Sequence, residues 1–150
     1  MTDQLSSHFS LPEFCSSQVA ARMGLAIVPD NEQRANLERL CLTLLEPIRV
    51  ALDKPMVISS GLRPQWLNEI IGGAANSAHM YGLAADVKVV GMSAQQFAAW
   101  VRAQGFPALD QCIEEFGQWV HLAIADGTKP RNQYLVASHI AGETHYQAMA

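Results

Sequence analysis

The chain has 150 residues, of which 49% are apolar and 16% charged, and its formal net charge is −4. That length suits one compact domain, residues 1–150, which can bury about 68–70% of its unfolded surface without covalent staples. The acidic balance and the lack of a Lys/Arg cluster leave no electrostatic footprint for nucleic acid, and no run reaches the ~20 apolar residues of a membrane span.

The N-terminal stretch MTDQLSSHFSLPEF has neither a basic start nor an apolar run. It does not read as a signal peptide, so cytoplasmic synthesis is expected. Ser10 to Glu13 forms a capping box that opens a short helix. Ser17 to Met23 reads as a second short helix ended by Gly24. Asp30 or Asn31 caps a long helix to about Leu52, with Leu37, Leu40, Cys41, Leu44, Leu45, Ile48 and Leu52 along one face. Pro47 inside that run should kink it or end it early. Met56 to Ser59 is a short β-branched strand. Pro64 to Ile71 suits a helix with proline near its start, broken by Gly72-Gly73.

Ala84 to Val90 reads as a strand. Ser93 and Gln96 form another capping box, opening a helix through Gln104 that Gly105 terminates. Gln111 to Phe116 and Trp119 to Ala125 look like a hairpin turning at Gly117. Asn132 to Ala137 is expected as an edge strand, and the last dozen residues carry little pattern. The sum is α+β: N-terminal helices packed on a small antiparallel sheet, with a core over about 8–137 and a tail from 138 to 150. Cys15, Cys41 and Cys112 are odd in number and widely spaced, so they read as reduced, mostly buried side chains rather than disulfides or a zinc site.

Two segments carry chemistry. In Ser77-Ala-His-Met-Tyr-Gly-Leu-Ala-Ala-Asp86, six residues separate His79 from Asp86. Asp86 stands among Ala84, Ala85, Val87 and Val89, where a carboxylate is costly unless paired or bound to a metal. Spacing alone leaves two readings: half of a metal site, or an aspartate paired with Arg63 or Lys88. In Glu114-Glu115-Phe116-Gly117-Gln118-Trp119-Val120-His121, a histidine stands in an apolar strand just after two acids. A two-residue loop would place Glu114 opposite His121; a three-residue loop would place Glu115 and His121 on one face. The residues themselves do not choose. Imidazole and carboxylate are ligands that zinc accepts, three of them with an open fourth position suiting a hydrolytic centre.

SAHMYGLAAD followed by WVH resembles the D-alanyl-D-alanine carboxypeptidase family of zinc peptidases, with its Ser-x-His, six-residue gap, Asp and later Trp-x-His. HFSLPEFCSS and SSGLRPQWLNEIIGGAANSAH resemble further family segments, so the likeness runs over about residues 8–137. It implies the hedgehog/DD-peptidase-like fold, zinc held by His79, Asp86 and His121, and a carboxylate base. Many relatives place that acid three residues before the last histidine, where this chain has Gln118. Hedgehog-like relatives have it six residues before, which is Glu115, and the role goes to Glu115 ahead of Glu114. Arg63 matches the family arginine that contacts substrate, with Ser77, Tyr81 and Trp119 expected around the substrate. His8, His139 and His145 fall outside the motif and are expected at the surface.

The resemblance implies a zinc metallopeptidase, a monomer, whose partner is a peptidoglycan stem peptide or cross-link rather than nucleic acid or membrane. Small size and the absent signal peptide resemble phage or prophage endolysins, which act on the wall after release. The alternative reading is a zinc-binding interaction module on the same scaffold without catalysis.

Overall fold

The structure is a computed structural model and describes residues 2–150. Short polar caps set the early helices. In α1 (Leu11–Phe14) the Ser10 N–H and hydroxyl both donate to the Glu13 carboxylate, at 2.6 and 3.0 Å. In α2 (Gln18–Arg22) the Ser17 hydroxyl accepts the Ala20 N–H. Asp30 and Gln33 exchange bonds at the start of α3 (Asn31–Leu40), satisfying amides that the helix itself leaves free.

The long helix does not simply break at Pro47. It opens into a π-helical turn over Cys41–Leu45 and continues as α4 (Glu46–Leu52). A proline lacks an N–H, and its ring clashes with the carbonyl four residues back, here Thr43. The wider turn absorbs that misfit just before the proline, with the Glu46 N–H reaching back to Cys41. The apolar face therefore stays continuous: Leu37, Leu40, Cys41, Leu44, Leu45 and Ile48 are all fully buried.

Strand β1 (Met56–Ser60) is followed by α5 (Gln65–Ile71), a 3-10 turn over Ala78–Tyr81 and β2 (Ala84–Val89). Then come α6 (Ala94–Gln104), β3 (Leu109–Glu115), β4 (Trp119–Ile124), β5 (Gln133–Ile140) and β6 (Glu143–Ala148). The six strands lie in the order β1-β2-β4-β3-β5-β6. The fold is α+β, but the sheet is not wholly antiparallel: β5 runs parallel to β3. Nor is β5 the edge. Residues 143–148, within the expected tail, form β6 and pair antiparallel with β5. The parallel pairing joins strands separated by β4, which local alternation does not encode, whereas β6 is a local hairpin with β5, turned by Ala141 and Gly142 at positive φ.

The sheet sorts side chains by parity. Ala85, Val87, Val120, Leu122 and Cys112 face the helices and join the apolar cluster of Leu37, Leu44, Phe97 and Val101. Asp86, His121 and Ile113 stand side by side on three neighbouring strands and share the opposite face. A register shift between Leu109 and Gln111 adds one residue to β3, so Asp110 and Gln111 both reach that second face. Burial raises the Cys112 thiol to about 12, as expected of an inert core thiol.

Two close approaches tie the sheet to the N-terminal segment. Gly61 packs so tightly on α1 that an added Cβ would lie 2.5 Å from Phe14 Cα. Beside it, the Leu62 N–H donates to the Phe14 carbonyl at 2.7 Å. Glu46 accepts from the Ser6 hydroxyl and the His8 N–H, and its second oxygen meets His8 Nδ1 at 2.5 Å. His8, His139 and His145 are exposed.

Gly61→Ala forces backbone movement at Phe14, and urea denaturation should show a loss of about 1–3 kcal/mol. The Glu46 contacts give a pH-dependent prediction. Burial raises the Glu46 pKa, but the bonds from Ser6 and His8 outweigh it, leaving the value below its ordinary 4.5. A lowered folded pKa contributes stability above the unfolded value and loses it as pH falls through the folded one. Wild type should therefore exceed Glu46→Gln in stability at neutral pH, with the gap closing in acid, as read by denaturation at several pH values.

Candidate metal centre

The centre is assembled by three elements. His79 sits on the 3-10 turn, whose first N–H groups are capped by Ser77: its hydroxyl accepts the His79 N–H at 3.3 Å. Helix α3 holds the same turn from below, Gln33 donating to the Met80 carbonyl and Asn36 to that of Tyr81, both at 2.9 Å. Gly82 then takes φ 76°, and an added Cβ there would lie 2.6 Å from the Gln33 carbonyl oxygen. A side chain at this point would push the turn off the helix and swing His79 away. Asp86 and His121 face each other directly across the β2–β4 ladder.

The three donor atoms form a near-equilateral triangle. His79 Nε2 lies 3.2 Å from Asp86 Oδ1 and 3.2 Å from His121 Nδ1, and the latter two are 3.1 Å apart. All three residues are buried, His79 at 2% exposure. The protons decide what this triangle is. His79 Nδ1 lies 2.9 Å from the Gly61 carbonyl, which can only accept, so Nδ1 carries the ring proton and Nε2 presents a lone pair. Burial raises the Asp86 pKa, yet the facing imidazoles His79 and His121 hold it well below the usual carboxylate range. With both rings neutral, the ionised Asp86 oxygen and a bare His79 nitrogen repel across 3.2 Å, whereas a proton on the facing nitrogen turns that edge into a hydrogen bond. A cation at the centre removes that repulsion. Zinc bonds of about 2.0–2.1 Å in tetrahedral array have edges near 3.3–3.4 Å, close to those observed. The residues present fit a zinc ion, and these three are a group able to hold a metal among the described residues.

The triangle opens on a cleft of about 640 Å³. The β3–β4 loop has three residues, Phe116 to Gln118, with Glu115 paired to Trp119. Phe116 and Gly117 both take positive φ to close it. Glu115 consequently shares the face of His121, its Oε1 lying 3.8 Å from His121 Nδ1. Burial, then the nearby Asp86 charge, raise the Glu115 pKa above its ordinary value. Glu114 points to the other side of the sheet. Gln118 is exposed in the loop.

Arg63 reaches the cleft, donating through Nη2 to the Ser77 hydroxyl at 3.2 Å. Its Nε is buried without a partner among the described residues, and no ion pair ties it to Asp86 or Glu69 there. Trp119 also lines the cleft. Its indole N–H lies near enough to Glu115 to temper that pKa, yet it makes no hydrogen bond of ordinary geometry. Tyr81 is not brought in. Two residues past His79 on the tight turn, it faces a separate cavity beside α3 with Asp30 and Gln33.

Sequence reasoning missed the far wall. Asp110, Gln111, Arg131, Gln133 and Tyr146 line the same cleft. Arg131 grips Asp110 through Nη2 at 2.7 Å and Nε at 3.1 Å, and Gln111 donates to Gln133 at 2.8 Å. The Asp110-Gln111 bulge and the β3–β5 pairing create this wall. Its one local signal is an aspartate, Asp110, at the mouth of an apolar strand.

The sequence pattern of the family described as Peptidase M15 matches residues 7–123, a span that contains all three donors. A curated relative, the zinc D-Ala-D-Ala carboxypeptidase of Streptomyces albus G, is 43% identical over 60 residues. That stretch is 39% of this chain and 22% of the relative, so the chain matches about a fifth of the relative's length. With most of the chain under one family pattern and a buried His-Asp-His triangle on the strands it covers, this protein belongs to the peptidase M15 family.

Proposed function

We propose that the chain is a zinc-dependent peptidase that hydrolyses peptide bonds in peptidoglycan stem peptides or cross-links. The observation that carries the reading is the buried triangle of His79, Asp86 and His121, whose donor atoms lie 3.1–3.2 Å apart, with the half-buried Glu115 carboxylate 3.8 Å from one corner. The substrate class rests on the D-Ala-D-Ala specificity in the relative's name. The family likeness also supports a hedgehog/DD-peptidase-like fold.

Bound zinc would supply Lewis acidity and lower the pKa of its water to about 7. The protein's own groups do the rest. Glu115 accepts the proton of the attacking water as its oxygen bonds to the scissile carbonyl carbon. The same carboxyl then delivers that proton to the amine nitrogen as the C–N bond breaks, which restores the free carboxylate. Its raised pKa suits both halves of the transfer. Arg63 has an uncommitted Nε donor at the cleft wall, and its charge faces either the developing oxyanion or a substrate carboxylate. Ser77 holds the guanidinium in place, and Trp119 covers the side of Glu115.

Two measurements test this. Freshly purified protein should hold close to one zinc per chain, and Asp86→Asn should hold none under the same conditions. At free zinc about a hundredfold above Kd, the ion should stabilise wild type by about 2.7 kcal/mol. For a chain of this size that raises Tm by about 5–10 °C, an increase absent in Asp86→Asn. Glu115→Gln should keep the zinc and lose about 10²–10⁴-fold in kcat on purified peptidoglycan or stem peptides. Wild-type turnover in that variant excludes Glu115 as the base. Zinc-loaded wild type that cleaves neither substrate would make the domain a binding module on the same scaffold.

A further inference from the structure

Glu114 lies on the helix-facing side of β3, away from the metal. Its ladder neighbours are Val120 on β4 and Val136 on β5. It is 6% exposed and makes no hydrogen bond or ion pair among the described residues. Its carboxylate oxygens are not sealed from solvent: they border an open space on the helix side of the sheet and have no donor from the described residues.

That carboxylate borders a cavity of about 420 Å³ between β3, β5 and α6. The helix gives it Ala98, Ala99 and Ala103, three short side chains that leave the space open, and Val136 and Met149 complete an apolar wall. Ala99 and Ala103 are exposed, so the mouth opens to solvent. Arg102 shares the lining, but no ion pair joins it to Glu114 among the described residues: it donates to the carbonyls of Met149 and Ala150, at 3.0 and 2.7 Å, and its guanidinium lies over the Tyr134 ring. The volume falls in the range of small-ligand sites, which pair apolar walls with a few polar anchors.

We propose that this cavity binds a small organic ammonium ion with a short apolar stem, Glu114 serving as its counter-ion. The ammonium donates to a carboxylate that otherwise has no donor, and the stem covers the alanine face of α6. None of these side chains lines the metal cleft, so the site stands apart from the hydrolytic reading.

The test is a titration of the full zinc-loaded chain with n-butylammonium, followed by amide chemical shifts, with 1-butanol as the neutral isostere. Saturable shifts at Ala98, Ala99 and Val136 are expected, weaker by at least about tenfold in affinity for 1-butanol. Glu114→Gln should weaken n-butylammonium by a similar factor. Ala99→Leu, at an exposed helix position, should narrow the mouth and weaken it too. Equal binding of the alcohol and the ammonium in wild type overturns the proposal even if neither variant folds. So do shifts that never saturate, or shifts confined to the His79 and His121 face.

Discussion

Like partial charges do not gather in a protein interior without cause. Here a bare imidazole nitrogen and a carboxylate oxygen are held face to face at 3.2 Å, on a sheet whose other surface is the apolar core. The arrangement survives because each member is fixed from behind. The Gly61 carbonyl dictates which His79 nitrogen is bare, and the β2–β4 register puts Asp86 opposite His121. The Gly82 turn delivers His79 to both. None of these positions could relax alone without exposing or unpairing another. The repulsion that neutral rings leave is local and electrostatic, and positive charge at the centre, a proton or a metal ion, relieves it.

That frustration explains why the surrounding packing is so tight. Gly61 cannot serve as His79's partner unless α1 lies against it, and α1 is anchored in turn by its own capping box and by the Leu62 amide. The π-helical turn plays a parallel part. By absorbing Pro47, it keeps Leu44, Leu45 and Ile48 aligned with Leu37 and Leu40. Helix α3 can then reach under the 3-10 turn with Gln33 and Asn36. A metal centre built from residues distant in the chain thus depends on helices that contribute no donor to it.

Local signals made much of this legible. The capping boxes at Ser10, Asp30 and Ser93 mark helix starts, and the apolar stripe from Leu37 to Ile48 marks the core. The spacing of His79, Asp86 and His121 left a choice between a metal site and a simple ion pair until the family likeness was added. Parity around Gly117 posed the Glu114/Glu115 question correctly, but only the three-residue loop answers it. What stayed hidden was the outer part of the sheet, one pairing non-local and one a hairpin of mixed polar residues. Nothing in Gln133 to Ile140 says that this strand joins β3 in parallel, and nothing in Glu143 to Ala148 announces another strand. Tyr81 lies against a cavity other than the metal cleft, because sequence proximity to His79 does not give direction on a turn of three residues per revolution.

Much of the cleft's far side, Arg131, Gln133 and Tyr146, comes from segments beyond residue 123, where the family pattern stops. Gln133 and Tyr146 hang on strands that add to the sheet edge and supply no donor to the metal. The molecule therefore divides along the chain: the three metal-facing side chains are encoded first, and much of the wall opposite them follows as an appended ribbon. Substitutions in that ribbon can reshape the cleft without touching a residue that forms the ion's seat.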